Sequence, residues 1–226
     1  MGCQPFGARE RTYVWLWQVT PIGDDLRRQF GDIDIYLFDQ LLRGRIAEGM
    51  RILDAGCGSG RNLVYLMRAG FDVSGVDESR DSIDAIRRLA RELAPRLSPD
   101  RFRVESVESM SFDDTSADIV ISSAVLHFAR DEAQFDAMLR DMWRVLAPRG
   151  MLFCRLASSI GQEGRVQSLG GRRYRLQDGS ERFLVDEQFL MRMTETLGAE
   201  LLDPLKTSVV QNLRSMTTWV VRKPSR

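Results

Sequence analysis

A glycine-rich loop between a short apolar run and an amphipathic segment constrains this chain more than any other feature. Arg51 to Ala55 has the apolar character of a buried strand, and Asn62 to Ala69 has helical periodicity. Between them stand three glycines at two-residue spacing: Gly56, Gly58 and Gly60. Glycine adopts positive φ freely and lets the backbone approach a ligand closely. A strand, a glycine loop and a helix in this order predict a nucleotide-type cofactor site.

Strand and helix patterns alternate through the middle of the chain. Predicted strands cover 51–55, 72–77, 102–107, 118–122 and 151–156, and amphipathic segments capped by Ser79 and Asp131 predict two of the helices between them. Such alternation implies parallel pairing with right-handed crossovers. We therefore predict an α/β fold, a Rossmann-like doubly wound sheet with its ligand crevice beyond the carboxyl ends of the strands.

The pattern changes after Leu156. Residues 158–171 hold four glycines and predict a loop, and Arg172 to Val185 predicts a β-hairpin with Asp178-Gly179 in its turn. The other predicted elements are a helix over 186–197 and strands near 200–202 and 216–221. Because the insertion leaves from the carboxyl end of a strand, we expect residues 158–185 to hinge as a lid over the crevice. The alternative is a rigid structural hairpin that packs elsewhere.

We divide the chain into an N-terminal helical cover, residues 1–44, and a main domain over 45–226 with the hairpin insertion at 158–185. The first 30 residues carry an aromatic cluster of Tyr13, Trp15 and Trp17. Such a cluster suits a helical lid or a cover over the sheet edge, and a contact with a partner subunit is the alternative.

Charge and cysteine content argue against several classes of protein. Lys plus Arg (32) equals Asp plus Glu (32), so no basic excess indicates a nucleic-acid partner. No apolar run reaches the ~18 residues of a membrane span, and no signal-peptide pattern is present. Cys3, Cys57 and Cys154 are far apart, and His127 is the only histidine, so neither disulfides nor a metal site are predicted. We expect a cytoplasmic monomer or homodimer without nucleic-acid or membrane partners.

The residues around the loop distinguish between two nucleotide cofactors. A dinucleotide fingerprint requires a third glycine where this chain has Arg61, and Asp54 would lie beside the pyrophosphate. S-adenosylmethionine carries sulfonium and ammonium groups instead of phosphates, so a nearby carboxylate attracts it. Asp77 ends the second strand, where an acid accepts hydrogen bonds from ribose hydroxyls. The alternative role for Asp77 is a loop acid that caps the next helix.

Four successive motifs resemble those of class I S-adenosylmethionine-dependent methyltransferases. They are Asp54-x-Gly56-x-Gly58-x-Gly60, Gly75-Val76-Asp77, Asp118-Ile119-Val120-Ile121-Ser122-Ser123 and Leu146-Ala147-Pro148-Arg149-Gly150. The likeness covers residues 45–157. It implies a seven-stranded sheet, mostly parallel with an antiparallel C-terminal strand, and S-adenosyl-L-methionine as the cofactor.

The same resemblance implies where the cofactor lies. Its methionine end is expected against the glycine loop and Ser122, and its adenine near Val107, with Ser106 where many family members have an aspartate. The predicted cofactor-binding residues are Asp54, Gly56, Cys57, Gly58, Gly60, Asp77, Glu78, Val107, Glu108 and Ser122.

The acceptor is constrained less well. Gly58 to Asn62 and the ending Met216 to Lys223 are similar to the tellurite-resistance and thiopurine-type branch of small-molecule methyltransferases, which favours a small-molecule acceptor. His127 follows the fourth strand and is the candidate general base; alternatively it only fills the turn. Three further polar residues either bind an anionic acceptor or stay solvated: Arg155, Asn212 and Arg214.

The predicted function is S-adenosylmethionine-dependent methyl transfer to a small molecule by in-line displacement. Two alternatives stay open. One is a non-catalytic module that binds S-adenosylmethionine, and the other is a dinucleotide-dependent oxidoreductase, which Arg61 and Asp54 disfavour.

Overall fold

A computed structural model describes residues 21–211 and 213–225 of the chain. Five residues named above lie outside the described residues, and what the sequence predicts for them stays a prediction: Cys3, Tyr13, Trp15, Trp17 and Asn212.

The strands form two sheets. They are β1 (Arg51–Ala55), β2 (Asp72–Asp77), β3 (Phe102–Val104), β4 (Ala117–Ser123), β5 (Leu146–Ala157), β6 (Gln167–Gly170), β7 (Arg173–Arg175), β8 (Glu181–Phe183), β9 (Glu200–Leu201), β10 (Lys206–Val210) and β11 (Arg214–Arg222). The main sheet has the order β10-β11-β5-β4-β1-β2-β3, and β9 pairs with β11. Strands β1 to β5 pair in parallel, whereas β11 runs antiparallel to β5 and to β10.

This topology confirms the predicted α/β fold with a mostly parallel sheet and an antiparallel C-terminal strand. The main order has the predicted number of seven strands, but one member differs. The strand predicted near 200–202 is the two-residue β9, which pairs with β11 outside this order, and β10 takes the seventh place. Strand β10 was not predicted, because its exposed Val209 and Val210 and its polar neighbours lack the alternation of a half-buried strand.

Helices cover both faces of the main sheet. Their bounds are α1 (Pro21–Phe30), α2 (Ile35–Leu42), α3 (Val64–Arg68), α4 (Arg80–Leu93), α5 (Glu132–Val145) and α6 (Glu187–Thr196), and 3-10 turns span Pro99–Arg101 and Leu126–Phe128. The predicted caps are present: Ser79 Oγ accepts from Ser82 N–H (3.2 Å), and Asp131 Oδ1 accepts from Gln134 N–H (2.8 Å). None of these helices combines the length and the apolar character needed to cross a membrane.

Two apolar clusters hold the layers together. On one face, α3 and α4 bury Leu66 and Ile86 against the sheet; on the other, α5 and α6 bury Phe135 and Phe189. The central strands β1 and β4 are nearly continuous apolar runs because both of their faces are covered. The layers thus leave the carboxyl ends of the strands as the open rim where polar residues collect.

The insertion contains the predicted hairpin as β7-β8, with Asp178 and Gly179 in its turn, and part of the predicted loop forms a third strand, β6, beside β7. Its last residues, Phe183, Leu184 and Val185, are buried, and the Phe183 ring stacks on Phe135 at 5.0 Å. The expectation that the whole segment hinges as a lid is therefore wrong for its base, which belongs to the main core; only its outer part is exposed.

Candidate active site

A cavity of about 500 Å³ opens at the carboxyl ends of β1, β2 and β4. Seven of the residues predicted to bind a cofactor line it: Gly56, Cys57, Gly58, Asp77, Glu78, Val107 and Glu108. Three do not line it, namely Asp54, Gly60 and Ser122. The topology explains the convergence, because β1 and β2 are neighbours and the chain after β3 returns to the same rim.

The glycines of the loop serve different purposes. Gly58 has φ +51°, and a side chain there would point into open space, which is the cavity. At Gly56 a Cβ would lie 2.3 Å from Val125 Cγ2, and at Gly60 it would lie 2.9 Å from Ile86 Cγ1 of α4. Gly60 therefore lets the loop pack on a helix, while Gly58 keeps the cavity open.

The Asp77 carboxylate fixes the loop in place. Gly58 N–H donates to Oδ2 (2.9 Å), and Ser79 N–H donates to Oδ1 (2.9 Å). The second of these bonds is the helix-capping role weighed in the sequence analysis. Because each carboxylate oxygen has a further lone pair, Asp77 can still accept hydrogen bonds from a ligand in the cavity.

Asp54 is a buried carboxyl group beneath the loop. It is 1% exposed, and neither of its oxygens has a hydrogen-bond partner among the described residues. Its pKa is raised from 3.8 to about 7, mainly by burial; the nearby charge of Arg61 opposes the rise and that of Asp77 adds to it. An unpartnered buried carboxylate is costly, and a cationic group bound nearby would offset this cost.

Several lining residues were not predicted from the sequence. Phe128 is 57% exposed at the cavity, and Gln134 and Met138 reach it from α5. Gln134 Nε2 donates a hydrogen bond to Glu108. The i, i+4 spacing of Gln134 and Met138 was a usable signal, because it places both on one face of α5.

A second cavity, of about 310 Å³, lies between the insertion and the β10–β11 hairpin. Ala124 lines both cavities, so the two adjoin there. Ala124 has φ +65°, a conformation that costs a non-glycine residue free energy, and its N–H donates to Arg155 O (2.7 Å). The second cavity contains His127, Arg155 and Arg214, three of the residues that the sequence analysis assigned to the acceptor.

His127 is placed as a hydrogen-bond donor toward this cavity. Its Nδ1 accepts from Ala157 N–H (3.2 Å), so the neutral ring carries its proton on Nε2. Burial lowers the imidazole pKa from 6.5 to about 4, and the charge of Arg182 contributes. Neither ring nitrogen then offers a free lone pair, so the geometry disfavours the predicted role as general base.

Because His127 is the only histidine of the chain, nuclear magnetic resonance can test this arrangement without ambiguity. We expect the imidazole of the untagged protein to stay neutral down to about pH 5, as the Nε2–H tautomer, and to titrate near the lowered pKa. A pKa below the unfolded value also means that stability is lost as the pH falls from about 6.5 toward about 4. Titration near 6.5, or an Nδ1–H tautomer, would contradict the placement.

The segment before α2 connects the two cavities. Asp34 N–H donates to Asn62 Oδ1 (3.0 Å), and Asp34 Oδ2 pairs with an Arg155 guanidinium nitrogen at 2.6 Å. Asn62 lines the first cavity, whereas Arg155 lines the second. The Tyr36 hydroxyl also lies 2.6 Å from Ser208 Oγ in the second cavity. Any movement of this segment would therefore shift side chains that line both cavities.

Comparison with known sequences gives a clear family match. Residues 53–154 match the family described as a methyltransferase domain. The ubiquinone biosynthesis O-methyltransferase of Methylocella silvestris is 35% identical over 109 residues, which are 48% of this chain and 40% of that protein. The chain spans less than half the length of the curated relatives it matches first.

Solved structures share the fold at lower identity. A methyltransferase dependent on S-adenosylmethionine from Methanosarcina mazei has a TM-score of 0.64 and 20% identity, covering 82% of this chain and 98% of that one. The 1,6-didemethyltoxoflavin-N1-methyltransferase of Burkholderia thailandensis, solved with 1,6-didemethyltoxoflavin and S-adenosylhomocysteine, has a TM-score of 0.66 and 18% identity over 90% of this chain and 83% of that one.

Proposed function

Since the chain belongs to the class I S-adenosylmethionine-dependent methyltransferases through its methyltransferase domain, we propose that it transfers the methyl group of S-adenosylmethionine to a small-molecule acceptor. The observation that carries the proposal is the cavity on the glycine loop, with a buried and unpartnered carboxyl group, Asp54, directly beneath it.

The residues of the first cavity fit this cofactor. Asp54 suits an ammonium or sulfonium group, because a cation nearby stabilises its buried carboxylate. Asp77 has lone pairs for ribose hydroxyls, and Gly58 leaves open space beside the loop. When bound, the cofactor supplies an electrophilic methyl group on sulfur. The ten predicted cofactor residues remain proposals, with Gly60 and Ser122 in supporting positions.

Positioning is what the chain itself contributes to such a transfer. An in-line displacement gains much of its rate when the nucleophile is held close to the methyl group in the correct direction. The junction at Ala124 brings the two cavities together for that purpose. We assign His127 the role of donating a hydrogen bond to the acceptor, which then supplies its own lone pair as the nucleophile.

The size of the second cavity supports a small acceptor. Its 310 Å³ is at the lower end of the roughly 300–1,000 Å³ of ligand pockets. The Burkholderia relative binds a small heterocycle as well as S-adenosylhomocysteine. Through Asp34 and Tyr36, the N-terminal cover proposed for residues 1–44 contacts side chains of the second cavity and would help to exclude water from it.

A screen for methyl transfer tests the activity itself. The full chain, incubated with S-adenosylmethionine labelled in the methyl group, should transfer label to at least one member of a panel of small organic molecules. Transfer would exclude the non-catalytic alternative. Binding of the cofactor without transfer to any small molecule or protein in the panel would favour that alternative.

Asp77→Ala is expected to weaken S-adenosylhomocysteine binding by about tenfold to a hundredfold. The change removes charge-assisted hydrogen bonds, each contributing about 1.5–3 kcal/mol, and frees Gly58 N–H from its partner. Calorimetric titration measures the effect. Asp81→Ala, at an exposed acid in the first turn of α4, is the matched control and should bind as the unaltered chain does. Equal affinity of both variants would remove Asp77 from the site.

A further inference from the structure

We propose that the acceptor is an anion, a small molecule whose carboxylate group is held in the second cavity by Arg182 and Arg214. The inference rests on the proposed methyl-transfer function and goes beyond it, because it names the chemical class of the acceptor. It is carried by the charges and by the unpartnered hydrogen-bond donors of this cavity.

The first observation is the balance of charged side chains in the cavity wall. Arg155 is neutralised by Asp34, whose side chain is fully buried. Arg182 and Arg214 have no carboxylate within ion-pair distance among the described residues; Arg182 instead stacks on the Phe128 ring at 4.8 Å. The lining carboxylate, Asp178, already accepts from Ser180 N–H (2.9 Å) and Ser180 Oγ (2.6 Å). Both of these bonds end on Asp178 Oδ1, and Arg182 Nη1 donates to Glu181 O (2.8 Å). Two guanidinium groups therefore face the cavity against one carboxylate, which leaves an excess of positive charge.

The second observation is a surplus of hydrogen-bond donors without partners. The Ser215 hydroxyl is 3% exposed and has no hydrogen-bond partner among the described residues, and Arg155 Nε is likewise buried without a partner. His127 presents Nε2–H, because its Nδ1 is occupied by Ala157 N–H. Buried polar groups in native proteins are normally paired, so such a set favours a ligand that brings acceptor oxygens. A carboxylate supplies two oxygens with several lone pairs and a compensating charge.

The third observation is the position of the cationic wall. Arg182 lines the second cavity, and the Phe128 ring beneath it lines the first. The stacked pair therefore forms part of the partition between the cavities, and an acceptor held by Arg182 would lie against that partition. Arg214, at the start of β11, lines the cavity on the side opposite the insertion and is exposed. Substituting Arg214 should therefore perturb the fold least.

Matched pairs of simple probes test the proposal. Benzoate and phenylacetate are compared with benzamide, phenylacetamide and benzylamine in calorimetric titrations of the full chain, with and without saturating S-adenosylhomocysteine. Each carboxylate and its amide share the ring, but in the amide an NH2 group replaces one oxygen and the negative charge is lost; benzylamine reverses the charge. We expect the carboxylates to bind in roughly the millimolar range, at least about tenfold more tightly than their amides, the ratio that one charge-assisted hydrogen bond contributes. Benzylamine should bind most weakly.

Variants locate the binding. Arg214→Gln should weaken carboxylate binding about tenfold while leaving S-adenosylhomocysteine affinity unchanged, and Arg214→Lys should retain part of the carboxylate affinity. Arg68→Gln is the control, since Arg68 is exposed at the end of α3 and lines neither cavity. Arg182→Gln is a second variant with the same expected loss.

The outcomes separate this inference from the proposed function. No preference for carboxylates over amides, absence of carboxylate binding at millimolar concentration, or equal affinity of Arg214→Gln and Arg68→Gln would overturn the inference alone if S-adenosylhomocysteine still binds. Failure of S-adenosylhomocysteine itself to bind would overturn the proposed function and this inference with it.

Discussion

Gly58→Val is expected to abolish cofactor binding, which means that the affinity falls by about a hundredfold or more, in a protein that still folds. Gly58 has φ +51°, a region that a β-branched residue avoids, and its missing side chain leaves open space in the first cavity. Valine would either fill that space or force the loop to move. A displaced loop would distort or break the hydrogen bond from Gly58 N–H to Asp77. Titration with S-adenosylhomocysteine measures the loss.

The matched control is Gly70→Val. Gly70 also has a positive φ, +80°, and no neighbouring atom within 4 Å of an added Cβ, but it does not line the cavity. Both variants should therefore lose similar stability in thermal unfolding, and only Gly58→Val should lose cofactor affinity. Unchanged affinity in Gly58→Val would show that the loop does not contact the cofactor.

Asp54→Asn is expected to stabilise the unliganded protein and to weaken its cofactor binding at the same time. Burial raises the Asp54 pKa from 3.8 to about 7. An acid with a higher pKa in the folded state contributes stability below its unfolded pKa, and that contribution is lost as the pH rises through the folded pKa. A neutral asparagine does not undergo this loss. The gain should grow from about pH 4 to a plateau of about 3–4 kcal/mol above about pH 7.

The loss of cofactor affinity has the opposite origin. A cationic cofactor group stabilises the carboxylate of Asp54 but not an amide, so binding should weaken by about tenfold or more. Denaturant unfolding across the pH range and calorimetry measure the two effects. Asp113→Asn, at an exposed acid, should change neither quantity. A destabilised Asp54→Asn with undiminished cofactor affinity would contradict the role given to this carboxyl group.

Local pattern was sufficient to predict the parts of the fold that local forces decide. The apolar runs of β1 and β4, and the caps Ser79 and Asp131, were predictable because strand burial and N-capping depend on a few neighbouring residues. Strand β10 was missed because its pairing with β11, and not its own periodicity, makes it a strand. The sequence does not reveal that the base of the insertion is fixed in the core, because nothing local indicates that Phe183 stacks on Phe135.

The same division applies to the candidate site. Asp77 and Gly58 could be placed on the cavity from the sequence, because topology brings the carboxyl ends of adjacent parallel strands together. Gly60 was assigned to the cofactor, whereas the structure packs it against Ile86, a contact that sequence spacing does not reveal. The second cavity gathers Arg182 and Ser215 from distant parts of the chain, so its shape and donor surplus follow from tertiary packing alone.

Calorimetric titration of the full chain with S-adenosylhomocysteine and, separately, with NAD shows which of the two cofactors the Asp54–Gly60 loop holds. Asp54 beneath the loop and Arg61 in place of a third fingerprint glycine both favour the first ligand. We expect saturable binding of one S-adenosylhomocysteine per chain and no binding of NAD at the same concentration. Binding of NAD without binding of S-adenosylhomocysteine would contradict this expectation.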